Sequence, residues 1–393
     1  MALKARVLTL SSLAHFINDG SGITYATVYP IFVLKHGFTY IDISIVSATY
    51  LVSSALMSLL IGRIADITGK PSLLLGLGIG LWSLALILLS VSLNTSGFDF
   101  GLLLASALFG GIASSFYHPL GASIISSYFD KDKGFALGIN GSLGALGRSS
   151  YPTIITSLLI LSTLGIYFLA SVSLLSSILI VTSIRDRKSS RGKQENRGGK
   201  MFERKVVIIL SLLTLIALVK GALSQGFITF LPTFLVNEGG VSYGVQVGAL
   251  TTLALVGSVI SQPLLGKLSD FLGRGKTMLI TTALGGIAVI AYTFLYTLTI
   301  ISYILLFTFG LFAFEAFTLL LAYVSDLVPS NYLTTANSIV WGIGLSAGGS
   351  LGPLIVGVVA TYTNLSIAFI VLGVLDLIAL IFILVADKYK LSS

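Results

Sequence analysis

Seven polar side chains stand inside long apolar stretches of the sequence, where each needs a physical reason: His15, Asn18, Asp19, His118, Arg148, Lys220 and Glu315. His15 and Asp19 are four residues apart, which places them on one face of a helix, with Asn18 beside them. A carboxylate and an imidazole so placed can share or pass a proton, and histidine is the side chain that does so nearest physiological pH. Arg148 does not release its proton at such pH. Its options are a two-pronged grip on an anion, or a standing ion pair with Asp19 or Glu315. Lys220 offers a compact charge of the same sign. With the histidines neutral, Asp19 and Glu315 balance Arg148 and Lys220, and a proton or an anion disturbs that balance. The plainer alternatives are a buried pair that fixes helix packing for His15 with Asp19, and an interhelical hydrogen bond for His118. Zinc on His15, Asp19 and His118 is a remote third chemistry, because the residue types suit it. The sequence has no HExxH pattern and no nucleophile–base pair at readable spacing, so neither a metal, a cofactor nor a catalytic residue is expected.

The elements that position these groups follow from composition. Hydrophobic residues make up 55% of the 393, charged residues only 10%, and mean hydropathy is +1.00. A soluble domain carries about a quarter charged residues, so the solvent for this chain is lipid. Apolar runs fall at 7–34, 42–62, 71–93, 101–127, 135–159, 160–184, 206–236, 241–265, 277–297, 300–325, 334–360 and 364–386. Each approaches or exceeds the ~20 residues that cross a hydrocarbon core. In lipid, backbone groups must bond internally, and runs of this length without strict alternation predict helices and not a barrel. The prediction is an all-α membrane protein of twelve transmembrane helices. Cysteine is absent, which excludes disulfides and thiolate metal sites. No cleavable leader is expected, because the first run is too long for one.

Lysine and arginine set the orientation. With the N-terminus cytoplasmic, 20 of the 23 fall on the cytoplasmic side, Lys35 falls outside, and Arg148 and Lys220 lie within spans. A cell-membrane protein with both termini cytoplasmic is predicted. The basic, Gly- and Ser-containing stretch 185–205 reads as a cytoplasmic linker between an N-terminal half, 1–184, and a C-terminal half, 206–393. Basic loops are ordinary on this side of a membrane, so nucleic acid is not expected as a partner.

The halves repeat one another. GRIADITGK at 62–70 matches GKLSDFLGR at 266–274, and YPIFVLKHG at 29–37 matches LPTFLVNEG at 231–239. Gly110 pairs with Gly310, and Gly144 with Gly344. Two pseudo-symmetric six-helix halves follow. Glycine-rich stretches in the fifth and eleventh runs have two readings, close helix packing or a sliding seam. No Walker pattern is present, so energy must come from an ion gradient or from the substrate's own. Counting ~1.5 Å per residue from the nearest boundary places His15, Asp19, His118, Arg148, Lys220 and Glu315 about 12–21 Å deep. A water-filled cavity between the halves accounts for that shared level. Asp376, in the twelfth run, reads as a packing or interface residue.

With these features in place, the chain resembles the major facilitator superfamily along its whole length. Gly62, Arg63, Asp66, Gly69 and Lys70 look like that superfamily's loop between helices two and three, with Asp270 and Arg274 in its repeat; the resemblance implies a gating latch there. Within the superfamily the sequence is most similar to the fosmidomycin resistance group, through His15-Phe16-Ile17-Asn18-Asp19, Ser114 to Pro119, Lys220 and the run Gly342 to Gly349. It departs from that group where Leu120 follows His118-Pro119. The resemblance implies a monomeric secondary transporter without enzymatic activity, coupled to protons and exporting a small molecule or drug, anions included. A symporter or uniporter of organic acids is the main alternative. A membrane sensor is a further one, although no soluble signalling segment is present.

Overall fold

The computed structural model describes residues 2–129, 132–186, 204–297, 299–314, 319–329 and 332–389. Its helices are α1 (Ala2–His36), α2 (Tyr40–Thr68), α3 (Pro71–Ser92), α4 (Asp99–Tyr128), α5 (Lys133–Leu161), α6 (Gly165–Ser183), α7 (Arg204–Asn237), α8 (Val245–Leu272), α9 (Arg274–Leu295), α10 (Thr299–Ala313), α11 (Leu319–Leu327), α12 (Leu333–Ser338), α13 (Ser346–Tyr362) and α14 (Leu365–Asp387). A π-helical segment, Ile339–Leu345, joins α12 to α13. The first nine apolar runs each coincide with one helix and the twelfth with α14. The tenth is divided between α10 and α11, and the eleventh between α12, the π segment and α13. By length and composition alone, eight described helices qualify as spans, or nine if the two parts of α8, bent by 50° between Ser261 and Pro263, count as one. Polar residues lower the hydropathy of α1 and α5, the helices that carry Asp19 and Arg148.

Helix ends are set by local chemistry. Thr39 and Asp42 form a reciprocal capping box that starts α2. Gly69 ends it at φ 63°, a left-handed conformation that costs other L-residues about 1–2 kcal/mol. Pro71 opens α3, whose first-turn amide at Ser72, without a partner inside the helix, donates to Asp186 Oδ1 at 2.8 Å. The Glu238 carboxylate accepts from the backbone of Leu365 and Ser366, which satisfies the start of α14.

α1 packs on α4 and α5, α2 on α4, and α3 on α4 and α6. In the second set α7 packs on α13, on the π segment and on α14, α8 on α10, and α9 on α10 and α14. Glycines allow two of these approaches. Gly147 of α5 lies against the Phe16 backbone of α1, and Gly348 of α13 against the Leu218 carbonyl of α7.

The two sets meet through α5 with α8, α2 with α13, and α1 with α7. Among the described residues, hydrogen bonds between the sets lie toward one end, the end where α2 and α8 begin. Ser44 Oγ donates to the Pro353 carbonyl at 2.8 Å, and the Thr153 and Thr252 hydroxyls are 2.8 Å apart. Tyr243 donates to the Thr27 carbonyl, and Asn237 Nδ2 to the Tyr40 hydroxyl. Burial raises the Tyr243 phenol above its ordinary value, so it remains a donor. At the other end, where α1 begins and α14 finishes, a side chain at Gly134, Gly138, Gly141 or Gly342 would meet nothing within 4 Å. The sets are thus joined by hydrogen bonds at the far end, and a cleft opens beside these glycines at the near end. The glycine stretches accordingly divide: their far portions pack, and their near portions face open space.

Candidate functional site

Asp19 sits at the inner end of this cleft. Its Oδ2 accepts from Arg148 Nη2 of α5 at 2.6 Å and lies 3.6 Å from His15 Nε2, one turn back on α1. Its Oδ1 accepts from Asn18 Nδ2 at 3.1 Å. Asn18 is fixed in turn by Trp82 of α3, whose Nε1 donates to Asn18 Oδ1 at 3.0 Å. The carboxylate side chain is 4% exposed, whereas those of His15 and Arg148 are 13% and 23% exposed. Open space therefore reaches the base and the guanidinium rather than the carboxylate between them.

α4 contributes the opposite wall. Tyr117 stacks on His15 with ring centroids 4.2 Å apart, and His118 meets the same ring edge-on at 5.9 Å. His118 is exposed to the cleft. The Tyr117 hydroxyl donates to Asn140 Oδ1 at 2.7 Å, and the Asn140 backbone carbonyl is 2.8 Å from His15 Nδ1. Behind Asp19, Tyr50 donates to Ser114 Oγ, and Tyr25 to the Ser106 carbonyl. From the second set, the Phe314 ring lies 5.8 Å from the Arg148 guanidinium, within cation–π range.

The structure thus gathers His15, Asn18, Asp19, His118 and Arg148. Among the described contacts, Lys220 meets Asp376 rather than this group. Lys220 Nζ lies 3.6 Å from Asp376 Oδ2, and both side chains are fully buried between α7 and α14. Asp376, set apart in the sequence reading, is an ion-pair partner because α14 packs directly on α7. Among the described residues, Asp19 pairs with Arg148 and Asp376 with Lys220. Glu315 lies outside the described residues. Removing one member of a buried pair costs about 3–5 kcal/mol, so Asp376→Leu is expected to lower the thermal midpoint in detergent sharply or to prevent folded protein from accumulating. A midpoint within about 2 °C of the parent rejects the pair as part of the fold.

Gly62, Arg63 and Asp66, read as loop in the sequence, lie in the last two turns of α2, which runs on to Thr68, with Arg63 and Asp66 exposed. Gly69 alone makes the turn, and Lys70 beyond it is exposed. In the repeat, Asp270 is exposed, while Arg274 donates to Asp326 Oδ1 at 2.6 Å and to the Ala322 carbonyl at 2.7 Å, tying α9 to α11. The sequence reading missed Trp82, Tyr117, Asn140 and Phe314. Asn140 carried one usable signal, an amide inside an apolar run, and Tyr117 stood in the motif Ser114 to Pro119; Trp82 and Phe314 carried none. Among the described residues, no group of three or more His, Cys, Asp or Glu is placed to hold a metal ion.

Two sets of long apolar helices around a polar cleft define a multi-pass membrane protein with a transporter architecture. The chain belongs to the Major Facilitator Superfamily, whose family profile matches residues 11–341 and 243–393. It is 23% identical over 400 residues to the fosmidomycin resistance protein of Escherichia coli (strain K12), covering 97% of this chain and 93% of that one. It is 29% identical over 168 residues to a probable 4-methylmuconolactone transporter of Cupriavidus pinatubonensis (strain JMP 134 / LMG 1197), covering 42% and 38%. Its fold is similar to that of a bacterial homolog of the human lysosomal transporter Spinster in an inward-facing, occupied conformation, with TM-score 0.83, 17% identity and coverage of 100% and 99%. A mutant of the nucleoside transporter NupG gives TM-score 0.80 at 16% identity, covering 98% and 99%.

Proposed function

We propose that this chain is a proton-coupled secondary transporter that exports a small organic molecule, anions included, by alternating access. The observation that carries the reading is Asp19 held between Arg148 and His15 at the inner end of a cleft open at one end of the bundle. A substrate entering that cleft meets a guanidinium able to grip an anion and an imidazole able to take a proton. Segments 1–184 and 206–393 act as the two moving bodies, joined by the linker 185–205. Gly62, Arg63, Asp66, Gly69 and Lys70, at the end of α2 and the turn after it, with Asp270 and Arg274, latch the near end when it closes. With lysine and arginine facing the cytoplasm, the near end is cytoplasmic in the cell membrane. The conformation described is then inward-facing, the state named for the Spinster homolog. The protein works as a monomer. Similarity to a protein named for drug resistance supports export, and similarity to one named as a lactone transporter supports a small organic substrate.

A second reading, co-transport of an organic anion with a proton, is favoured by the sign of one interaction. An anion that neutralises Arg148 leaves Asp19 free to hold a proton-bearing His15, so anion and proton bind together rather than in exchange. Uptake into proteoliposomes under an imposed pH gradient separates the two, with fosmidomycin, 4-methylmuconolactone and a panel of simple organic acids as the compounds. Exchange predicts accumulation when the lumen is acidic. Co-transport predicts it when the outside is acidic, and flux indifferent to the gradient rejects proton coupling altogether.

A further inference from the structure

His15 is held so that only one of its nitrogens can exchange a proton. Its Nδ1 lies 2.8 Å from the backbone carbonyl of Asn140. A carbonyl oxygen only accepts, so Nδ1 carries hydrogen in every protonation state that keeps this contact. The ring reaches α5 because Gly144, one turn on from Asn140, has no side chain; a Cβ there would overlap the imidazole. Tyr117 closes the other face of the ring and is itself anchored to Asn140 Oδ1 at 2.7 Å. One residue therefore fixes both the tautomer and the stacking partner.

The remaining nitrogen, Nε2, faces Asp19 Oδ2 at 3.6 Å. With the ring neutral, a lone pair faces a carboxylate and nothing joins them. With the ring protonated, an N–H points at an anion. The carboxylate is already supplied with donors on both oxygens, by Asn18 on Oδ1 and Arg148 on Oδ2. A proton on Asp19 would set a hydroxyl against one of those donors. The chain Trp82 to Asn18 to Asp19 keeps Oδ1 in place, which makes Trp82 and Asn18 positioning residues.

From this geometry, and resting on the proton-coupled reading above, we infer that His15 Nε2 carries the coupling proton while Asp19 stays ionised as its fixed counter-charge. The proton passes from water in the cleft to the Nε2 lone pair, and returns from Nε2 to water when the cleft faces the other side. No other bond changes. Among the described residues, the titratable and charged groups around His15 and its partner Asp19 are Tyr50 on α2, Tyr117 and His118 on α4, and Arg148 on α5. α7 also touches α1, and its Lys220 pairs with Asp376.

Nitrogen-15 spectra of histidine-labelled protein in lipid nanodiscs test the inference without any substrate. The chain has three histidines, and the His15 signals are those lost in His15→Gln. The expected neutral form is protonated at Nδ1 and bare at Nε2, and becomes doubly protonated on acidification. A neutral form protonated at Nε2, or a ring that stays neutral throughout the pH range of coupled transport, overturns the assignment. Gly144→Ala is expected to disturb the tautomer while leaving the protein folded; a tautomer unchanged in that variant also counts against it. In proteoliposomes, His15→Gln is expected to lose substrate-linked proton movement, read with an internal pH dye. Coupled proton movement retained in His15→Gln overturns the assignment to His15 alone. No proton movement in the parent protein overturns the coupled reading itself.

Discussion

Arg148→Ala is expected to weaken the binding of anionic ligands by about 10- to 100-fold. A hydrogen bond to a charged group contributes about 1.5–3 kcal/mol, and each ~1.4 kcal/mol is a factor of ten in affinity. The side chain is partly exposed, so it is reachable from the cleft, and its described hydrogen bond at 2.6 Å goes to Asp19. Truncation removes the anion's partner and at the same time strips Asp19 of its strongest donor. The second effect destabilises the fold, since Asp19 is almost fully enclosed. Arg148→Lys separates the two effects. It returns a positive charge and hence much of the stability, but a lysine cannot offer two parallel donors, so affinity recovers only in part. The measurement is ligand affinity by calorimetry beside the thermal midpoint, for both variants. Unchanged affinity of Arg148→Ala for every anionic ligand rejects the anion grip.

The second large effect belongs to Asp19. Asp19→Asn keeps the shape but only one acceptor oxygen, so either Arg148 or Asn18 is left facing an amide NH2, and the loss of stability is expected to be about 1.5–3 kcal/mol, that of one charged hydrogen bond. Coupling is another matter. Without the negative charge, a protonated His15 has no counter-ion and faces Arg148 unscreened. Gradient-driven accumulation is therefore expected to fall by at least about tenfold, the effect of ~1.4 kcal/mol, to the level of downhill equilibration. Counterflow, which needs no proton gradient, is expected to persist. Accumulation at the parent level in Asp19→Asn removes Asp19 from the mechanism.

Much of the fold was legible in the sequence, because lipid imposes one rule on every span. Apolar runs set the helices, and the repeated GRIADITGK and GKLSDFLGR segments set the two six-helix sets. The break between α5 and α6, read only as somewhere near Ser157 to Gly165, falls within that range at Ser162 to Leu164, where apolar residues on both sides blur the turn. The division of the tenth run into α10 and α11, and the π segment in the eleventh, left no mark in hydropathy, since neither changes residue type. The site was legible where a charge costs energy: His15, Asp19 and Arg148 announced themselves by being expensive in lipid. Their pairings did not. Depth along a helix says nothing of its facing, so the contact of Lys220 with Asp376 on α14 was not foreseen. Trp82 could not be told from a core aromatic, because its part in the site depends on a single hydrogen bond made across the bundle.

The central claim is that the far end must open for anything to pass the Asp19 cluster, and one cross-link tests it. The chain has no cysteine, so Thr153→Cys with Thr252→Cys introduces a single thiol pair where two hydroxyls now lie 2.8 Å apart between α5 and α8. With the pair oxidised, transport is expected to stop while ligand still binds from the near end, and reduction is expected to restore transport. Transport at the parent rate with the cross-link complete would contradict the account.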